Sequence, residues 1–129
     1  MFTMRFSSFV RETRYAAVQQ GKELDISLDL DENEISRPAP SPTSAKEGAS
    51  PARQVFSLPA GFRLLDVWTG DTGRSLNSGN VLLPFSPKGY AERAILHFED
   101  QQGKRFSIEI AKFSGDISLS EGYLSPPGS

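Results

Sequence analysis

The spacing of the apolar residues changes at Gly21, from the three- and four-residue period of a helix to the two-residue period of a strand. Residues 24–30 alternate leucine or isoleucine with aspartate or serine, which is typical of a strand with one buried face and one acidic face. Glycine is also a common residue just after the end of a helix. The sequence therefore predicts an N-terminal helix that runs into a β-strand. The apolar or small residues on the inner side of this helix are Phe2, Phe6, Phe9, Val10, Thr13, Ala16 and Ala17.

The rest of the chain carries strand patterns and no second long helical pattern. Candidate strands lie at residues 54–58, 62–68 and 81–85. Three more segments, around residues 94–99, 105–110 and 117–119, are separated by glycine-containing turns and predict an antiparallel meander. The predicted fold class is therefore α+β, with the N-terminal helix packed on an antiparallel β-sheet or β-sandwich.

A proline-rich segment at residues 37–52 interrupts these patterns. It contains four prolines, and alanine is its only apolar residue, so it has little surface to bury against the entropy of ordering. We expect it to be a long disordered loop. The whole chain, 1–129, is then one domain with a helix at 1–21, a first strand region at 22–36, the loop at 37–52 and an antiparallel β region at 53–129.

Composition excludes several kinds of chemistry. The chain has no cysteine and a single histidine, which excludes disulfides, thiol catalysis and any metal centre that needs two histidines from one chain. The net charge is −2, with six of the acidic residues gathered in residues 22–36, so the sequence predicts no nucleic-acid partner. No apolar run has the length of a transmembrane helix.

Two short motifs suggest chemistry that their surroundings do not support. Asp71, Thr72 and Gly73 match the tripeptide of aspartic proteases, but no apolar strand leads into the aspartate, and the favoured interpretation is a hairpin loop. Asp29, Asp31 and Asn33 are spaced like the first ligands of an EF-hand calcium loop. Glutamate then occupies the place of the required glycine, which leaves at most an incidental weak cation site.

Two single residues also have a structural and a functional interpretation. We expect His97, on the polar side of its strand, to be a surface histidine with a charged neighbour rather than a general base. Trp68 follows several aliphatic residues and is expected in the core rather than on a ligand platform. No catalytic, metal or cofactor residue is predicted.

Two passages of the sequence resemble the H-type minor pseudopilins of type II secretion and the related minor type IV pilins. In residues 10–22 an arginine is followed by alanines and then a glycine, and the helix runs straight into the strand at 24–30. The second passage resembles the family turn of phenylalanine, any residue, proline or aspartate, any residue, glycine, here Phe85, Pro87 and Gly89. It is followed by the hairpin and glycine turn of residues 94–96, 103–110 and 114–117.

The resemblance implies a pilin-like fold and a non-catalytic structural subunit of the type II secretion pseudopilus, which supports protein export across the outer membrane. The implied partners are other pseudopilins, with the secreted substrate or the outer-membrane channel as further candidates. The implied location is the periplasmic side of the inner membrane of a Gram-negative bacterium, with an apolar anchoring helix that this sequence lacks. Helix residues Phe6, Phe9, Val10 and Thr13 would then pack against the β-domain or a neighbouring subunit.

Two other functions remain open on the sequence. The first is a minor pilin of a type IV pilus, although a DNA-uptake pilin is disfavoured because no basic residue follows Lys112. The second is an unrelated β-sandwich module that binds a ligand through exposed aromatic residues such as Trp68, Tyr90 and Tyr123.

Overall fold

The computed structural model describes residues 2–38 and 53–122. In this part of the chain one helix precedes nine strands. Their bounds are α1 Phe2–Gln20, β1 Leu24–Asp29, β2 Glu34–Pro38, β3 Arg53–Phe56, β4 Arg63–Thr69, β5 Arg74–Leu76, β6 Asn80–Phe85, β7 Ala94–Glu99, β8 Arg105–Ile110 and β9 Ile117–Glu121.

The strands form two antiparallel sheets. The first sheet has the order β3-β2-β1-β6 and the second the order β5-β4-β7-β8-β9. The predicted meander is the β7-β8-β9 part of the second sheet. Helix α1 packs on this β-structure, so the predicted α+β fold class is confirmed.

Helix α1 ends where the change of period predicts. Gly21 has φ +63°, and the amide of Lys22 donates to the carbonyl of Ala17 at 3.2 Å while the amide of Gly21 donates to that of Val18 at 3.2 Å. These two bonds satisfy carbonyls of the last helical turn in the manner of a Schellman motif. Three residues, 21–23, then connect the helix to β1.

The apolar side of α1 contacts both sheets through phenylalanine rings. Phe6 is fully buried, and its ring lies 5.6 Å from that of Phe56 in β3 and 6.3 Å from that of Phe98 in β7. Phe2 contacts the same two rings at 5.8 and 5.1 Å. Burial of one such side chain stabilises a fold by about 1.5–3 kcal/mol. The helix therefore holds the two sheets together around a shared core.

Strand β1 shows the predicted alternation. Leu24, Ile26 and Leu28 are buried on the inner face of the sheet, while the residues between them are half-exposed. Its neighbours in the sheet are β2 and β6. The acidic segment thus begins as the outer face of a paired strand.

Two details differ from the predictions. Arg37 and Pro38 belong to β2, where they pair with Gln54 and Arg53 of β3, so the prediction that a loop begins at Arg37 is wrong for these two residues. Residues 39–52 of that predicted loop lie outside the described residues. Strand β5 was not predicted, because its three exposed residues form a strand only by pairing with β4.

Candidate assembly surface

The four helix residues singled out by the sequence face inward. Phe6, Phe9, Val10 and Thr13 are all at most 6% exposed, and the Thr13 hydroxyl donates to the carbonyl of Phe9 at 2.8 Å. Their side chains are therefore covered by this chain's own sheets. A contact between α1 and another subunit must use other residues.

The opposite side of α1 carries large side chains that the sequence interpretation overlooked. Met4 is 71% exposed, Tyr15 64% and Val18 47%. They are separated by eleven and three residues, so at about 100° per residue they lie within about 60° of one another, and about 120–180° around the helix axis from Phe9. The helical period that predicts the buried stripe also places these three residues together on the other side. We call Met4, Tyr15 and Val18 the outer helix face.

Arg37 anchors the middle of α1 to β2. Its guanidinium donates to the carbonyl of Phe9 at 3.0 Å, to the hydroxyl of Thr13 at 3.2 Å and to the carboxylate of Glu12 at 2.8 Å. It also donates to Gln54 at 2.9 Å and lies 4.5 Å from the centre of the Phe9 ring. A buried guanidinium requires such partners, so Arg37 fixes the helix position on the sheet.

The predicted family turn lies between β6 and β7 and contacts the C-terminal half of α1. Phe85 is buried, Pro87 is exposed, and Gly89 has φ +83°. The amide of Gly89 donates to the carbonyl of Ser86 at 2.9 Å, which closes the turn. A side chain at Gly89 would start 3.1 Å from Cγ2 of Val18, so the turn requires glycine both for its backbone angle and for this close approach.

The Asp71 motif forms the predicted hairpin loop. It joins β4 to β5, with Asp71 exposed and the hydroxyls of Thr69 and Thr72 2.7 Å apart. The amide of Gly73 donates to the carbonyl of Thr69 at 2.9 Å. The motif therefore forms a turn. Its carboxylate is exposed, whereas the catalytic aspartates of aspartic proteases lie in a buried site.

The residues with calcium-loop spacing are engaged with the backbone. Asp29 Oδ1 accepts the amides of Asp31 at 3.1 Å and Glu32 at 3.0 Å. Asn33 donates to the carbonyl of Phe62 at 2.8 Å and accepts the amide of Leu64 at 2.8 Å. Among the described residues, no group of three or more histidine and carboxylate side chains is arranged to hold a metal ion. The segment therefore forms the turn between β1 and β2, and Asn33 joins this turn to the start of β4.

The prediction that His97 lies on the surface is wrong. Its side chain is 1% exposed, and Nδ1 is hydrogen-bonded to the carboxylate of Asp66 on the adjacent strand β4. Ser107 lies opposite His97 on β8 but is equally buried, and its hydroxyl donates to the carbonyl of Gly122 at 2.8 Å. The arrangement resembles a catalytic triad in composition only, because a nucleophile must be reachable by its substrate.

Trp68 lies on the same side of the second sheet as His97; it is buried, as predicted, but it does not belong to the main core cluster. The guanidinium of Arg93 lies 5.7 Å from the indole centre and forms an ion pair with Glu109 at 2.6 Å. Because the indole is buried and Arg93 lies over its ring, Trp68 is not available as a platform for a ligand. The ligand-binding hypothesis also named Tyr90 and Tyr123. Tyr90 is exposed, and Tyr123 lies outside the described residues.

Together these features define a class of protein: an α+β domain whose N-terminal helix packs one face on antiparallel sheets and exposes the other. No family model matches the sequence, and no curated protein sequence matches it. Among solved structures, the minor pseudopilin EpsH from the Type 2 Secretion System of Vibrio cholerae is similar in fold. The TM-score is 0.57 at 13% sequence identity, over 98% of this chain and 95% of that chain. The pseudopilin-like fold implied by the resemblance is thus confirmed, whereas membership of the H type stays a prediction.

Helix α1 spans 19 residues and is amphipathic. In the parts of the chain that the structure describes, no helix has the length and hydropathy that crossing a bilayer requires.

Proposed function

We propose that this chain is a non-catalytic structural subunit of a type II secretion pseudopilus, of the H-type minor class, and acts in protein export across the outer membrane. The observation that carries the proposal is the two-sided helix. One face of α1 is covered by the chain's own core, whereas on the outer helix face Met4 and Tyr15 are largely exposed and Val18, beside the turn at Gly89, is 47% exposed. Tyrosine and methionine are enriched at the centres of protein–protein interfaces relative to the rest of the surface.

The proposed partners are neighbouring pseudopilins, which would contact the outer helix face. A secreted substrate or the outer-membrane channel would meet the β-domain on its far side. The proposed location is the periplasmic side of the inner membrane. Support for the pseudopilus comes from the full-length similarity in fold to EpsH together with the family turn at Phe85, Pro87 and Gly89, which contacts the same helix.

Complementation of a deletion strain tests the function. The strain lacking the gene should lose export of its secreted proteins, and the unchanged gene should restore it. Tyr15→Ala should restore export poorly although the protein folds, because Tyr15 is largely exposed and the hydrogen bond that its hydroxyl accepts from Gln19 at 2.8 Å is exposed as well.

Leu76→Ala is the matched control, since Leu76 is 45% exposed on β5, away from the helix. It should restore export fully. Normal export in the deletion strain would contradict the proposal, and loss of surface pili with unchanged export would assign the protein to a type IV pilus instead.

A further inference from the structure

A small cavity lies where three chain segments cross. Ala91 is bridged to Phe85 at the end of β6 and to Phe113 after β8, and two backbone hydrogen bonds of 2.8 and 3.1 Å join Ala91 to Phe113. The cavity has a volume of about 350 Å³, and its walls include Pro84, Tyr90 and Phe113. Because Ala91 is bridged to Phe85 on one side and to Phe113 on the other, the walls of the cavity are held in place without a ligand.

Two aromatic rings stand exposed at this cavity. Tyr90 is 53% and Phe113 57% exposed, and their rings meet edge to face with centres 5.5 Å apart. A buried phenylalanine stabilises the fold, but the largely exposed ring of Phe113 contributes little to stability. An edge-to-face pair presented to solvent offers ring faces to a partner instead.

The backbone of Phe113 is held in an unfavourable conformation. Its φ is +71°, in the left-handed region that side chains with a Cβ rarely occupy, and the amide of Ser114 donates to the carbonyl of Lys112 across it at 2.9 Å. This bonding pattern is that of a tight three-residue turn. Backbone strain of this kind is concentrated at functional sites, where surrounding structure maintains it. Here the bridge to Ala91 maintains it and points the ring outward.

The charge around the rings is complementary to a cation. Glu23 and Glu92 also line the cavity, and neither forms an ion pair or a side-chain hydrogen bond with any residue of the described structure. The ammonium of Lys112 lies 5.2 Å from the centre of the Phe113 ring, so this ring already accepts a cation from its own chain. An arginine side chain fits the combination best, because a planar guanidinium stacks on a ring and donates to two carboxylates at once.

We propose that the cavity formed by Glu23, Tyr90, Glu92 and Phe113 binds an arginine side chain from the surface of a partner protein. The guanidinium stacks on the exposed aromatic pair, where it displaces the ammonium of Lys112, and the two carboxylates bind its N–H groups. This site is separate from the outer helix face, and it is tested on the isolated domain without any filament.

The test is a titration of ¹⁵N-labelled protein with N-acetyl-arginine amide, followed by amide chemical shifts. The expected result is a saturable shift confined to amides near Tyr90, Glu92 and Phe113. N-acetyl-citrulline amide, which has the same shape and no charge, should bind about fivefold more weakly, since an exposed cation–π contact and ion pair each contribute modestly. Absence of a saturable shift, or equal binding of citrulline, would overturn the proposal.

Variants distinguish the carboxylates from the rest of the surface. The pair Glu23→Gln with Glu92→Gln should weaken arginine binding about fivefold and leave citrulline unchanged. Glu32→Gln removes an exposed carboxylate of the acidic segment and should change neither. Equal weakening by Glu32→Gln would show a general effect of net charge and would contradict a site at this cavity.

Discussion

Arg14 donates a hydrogen bond through Nε to the main-chain carbonyl of Gly89. The arginine thus joins the C-terminal half of α1 to the turn that precedes β7. Its Cδ also approaches Gly115, where an added Cβ would lie 3.6 Å away. Two glycine turns, one before β7 and one before β9, therefore close around one helix side chain. This contact makes the orientation of α1 depend on residues more than seventy positions away.

Gly89→Ala should destabilise the fold by about 2 kcal/mol. The added Cβ is strained at φ +83° and starts 3.1 Å from Val18. Gly103→Ala is the control, because Gly103 has φ +80° and no neighbour within 4 Å, so it carries the backbone strain alone, about 1 kcal/mol. Urea unfolding of both variants measures the difference. Equal losses would show that the turn does not press on the helix.

Arg37→Met should lower the free energy of unfolding by about 2–3 kcal/mol. The change keeps an unbranched apolar stem but removes the buried hydrogen bonds to the Phe9 carbonyl and to Thr13. Lys104→Met is a suitable comparison, since the ion pair of Lys104 with Glu121 spans 3.7 Å between exposed side chains and should contribute less than about 0.5 kcal/mol. If the two variants unfold at the same urea concentration, Arg37 does not anchor the helix.

Periodic segments were predictable from the sequence because one physical cause, burial of one face, determines them. Helix α1 and strand β1 follow from apolar spacing, and Gly21 marks the boundary between them through its backbone angle. The alternation in β7 and β8 predicted these two strands as well, although β7 proves to be buried on both faces. Local sequence was enough wherever the pattern was long and one-sided.

Long-range partners were not predictable in this way. Arg37 lies in a polar, proline-rich context that indicates a loop, and only the helix above it provides the acceptors that permit its burial. His97 is paired with Asp66 through a register that shifts between Leu64 and Asp66, and no local pattern specifies such a shift. Tertiary contacts therefore determine the burial and the partners of both Arg37 and His97.

The pair of buried His97 and partly buried Asp66 should show energetic coupling. A double-mutant cycle with Asp66→Ala and His97→Ala should give a coupling energy above about 1 kcal/mol, because either single variant already removes the hydrogen bond that joins the two side chains in a largely water-free place. The exposed pair of Glu99 and Arg105, 3.5 Å apart, should give less than about 0.5 kcal/mol in the same measurement. Comparable coupling in both cycles would mean that burial adds nothing to the pair.

The two faces of α1 should differ in what they contribute. Phe9→Ala should cost about 3–5 kcal/mol, since the ring is buried against Phe56 and Arg37. Tyr15→Ala should change the free energy of unfolding by no more than about 0.5 kcal/mol, because the ring is largely exposed. Thermal unfolding of the two purified variants checks this. A large loss for Tyr15→Ala would assign the outer helix face to the chain's own stability.

Photo-crosslinking in cells tests directly whether the outer helix face contacts a filament. A photoreactive phenylalanine analogue is placed at Tyr15 and, as a control, at Gln102, which is exposed in the turn between β7 and β8. Proteins joined after irradiation are identified by mass spectrometry. If the proposed function is right, the probe at Tyr15 joins pseudopilins and the probe at Gln102 does not. No product at Tyr15 beyond that at Gln102, or products that contain no filament subunit, would contradict assembly through this face.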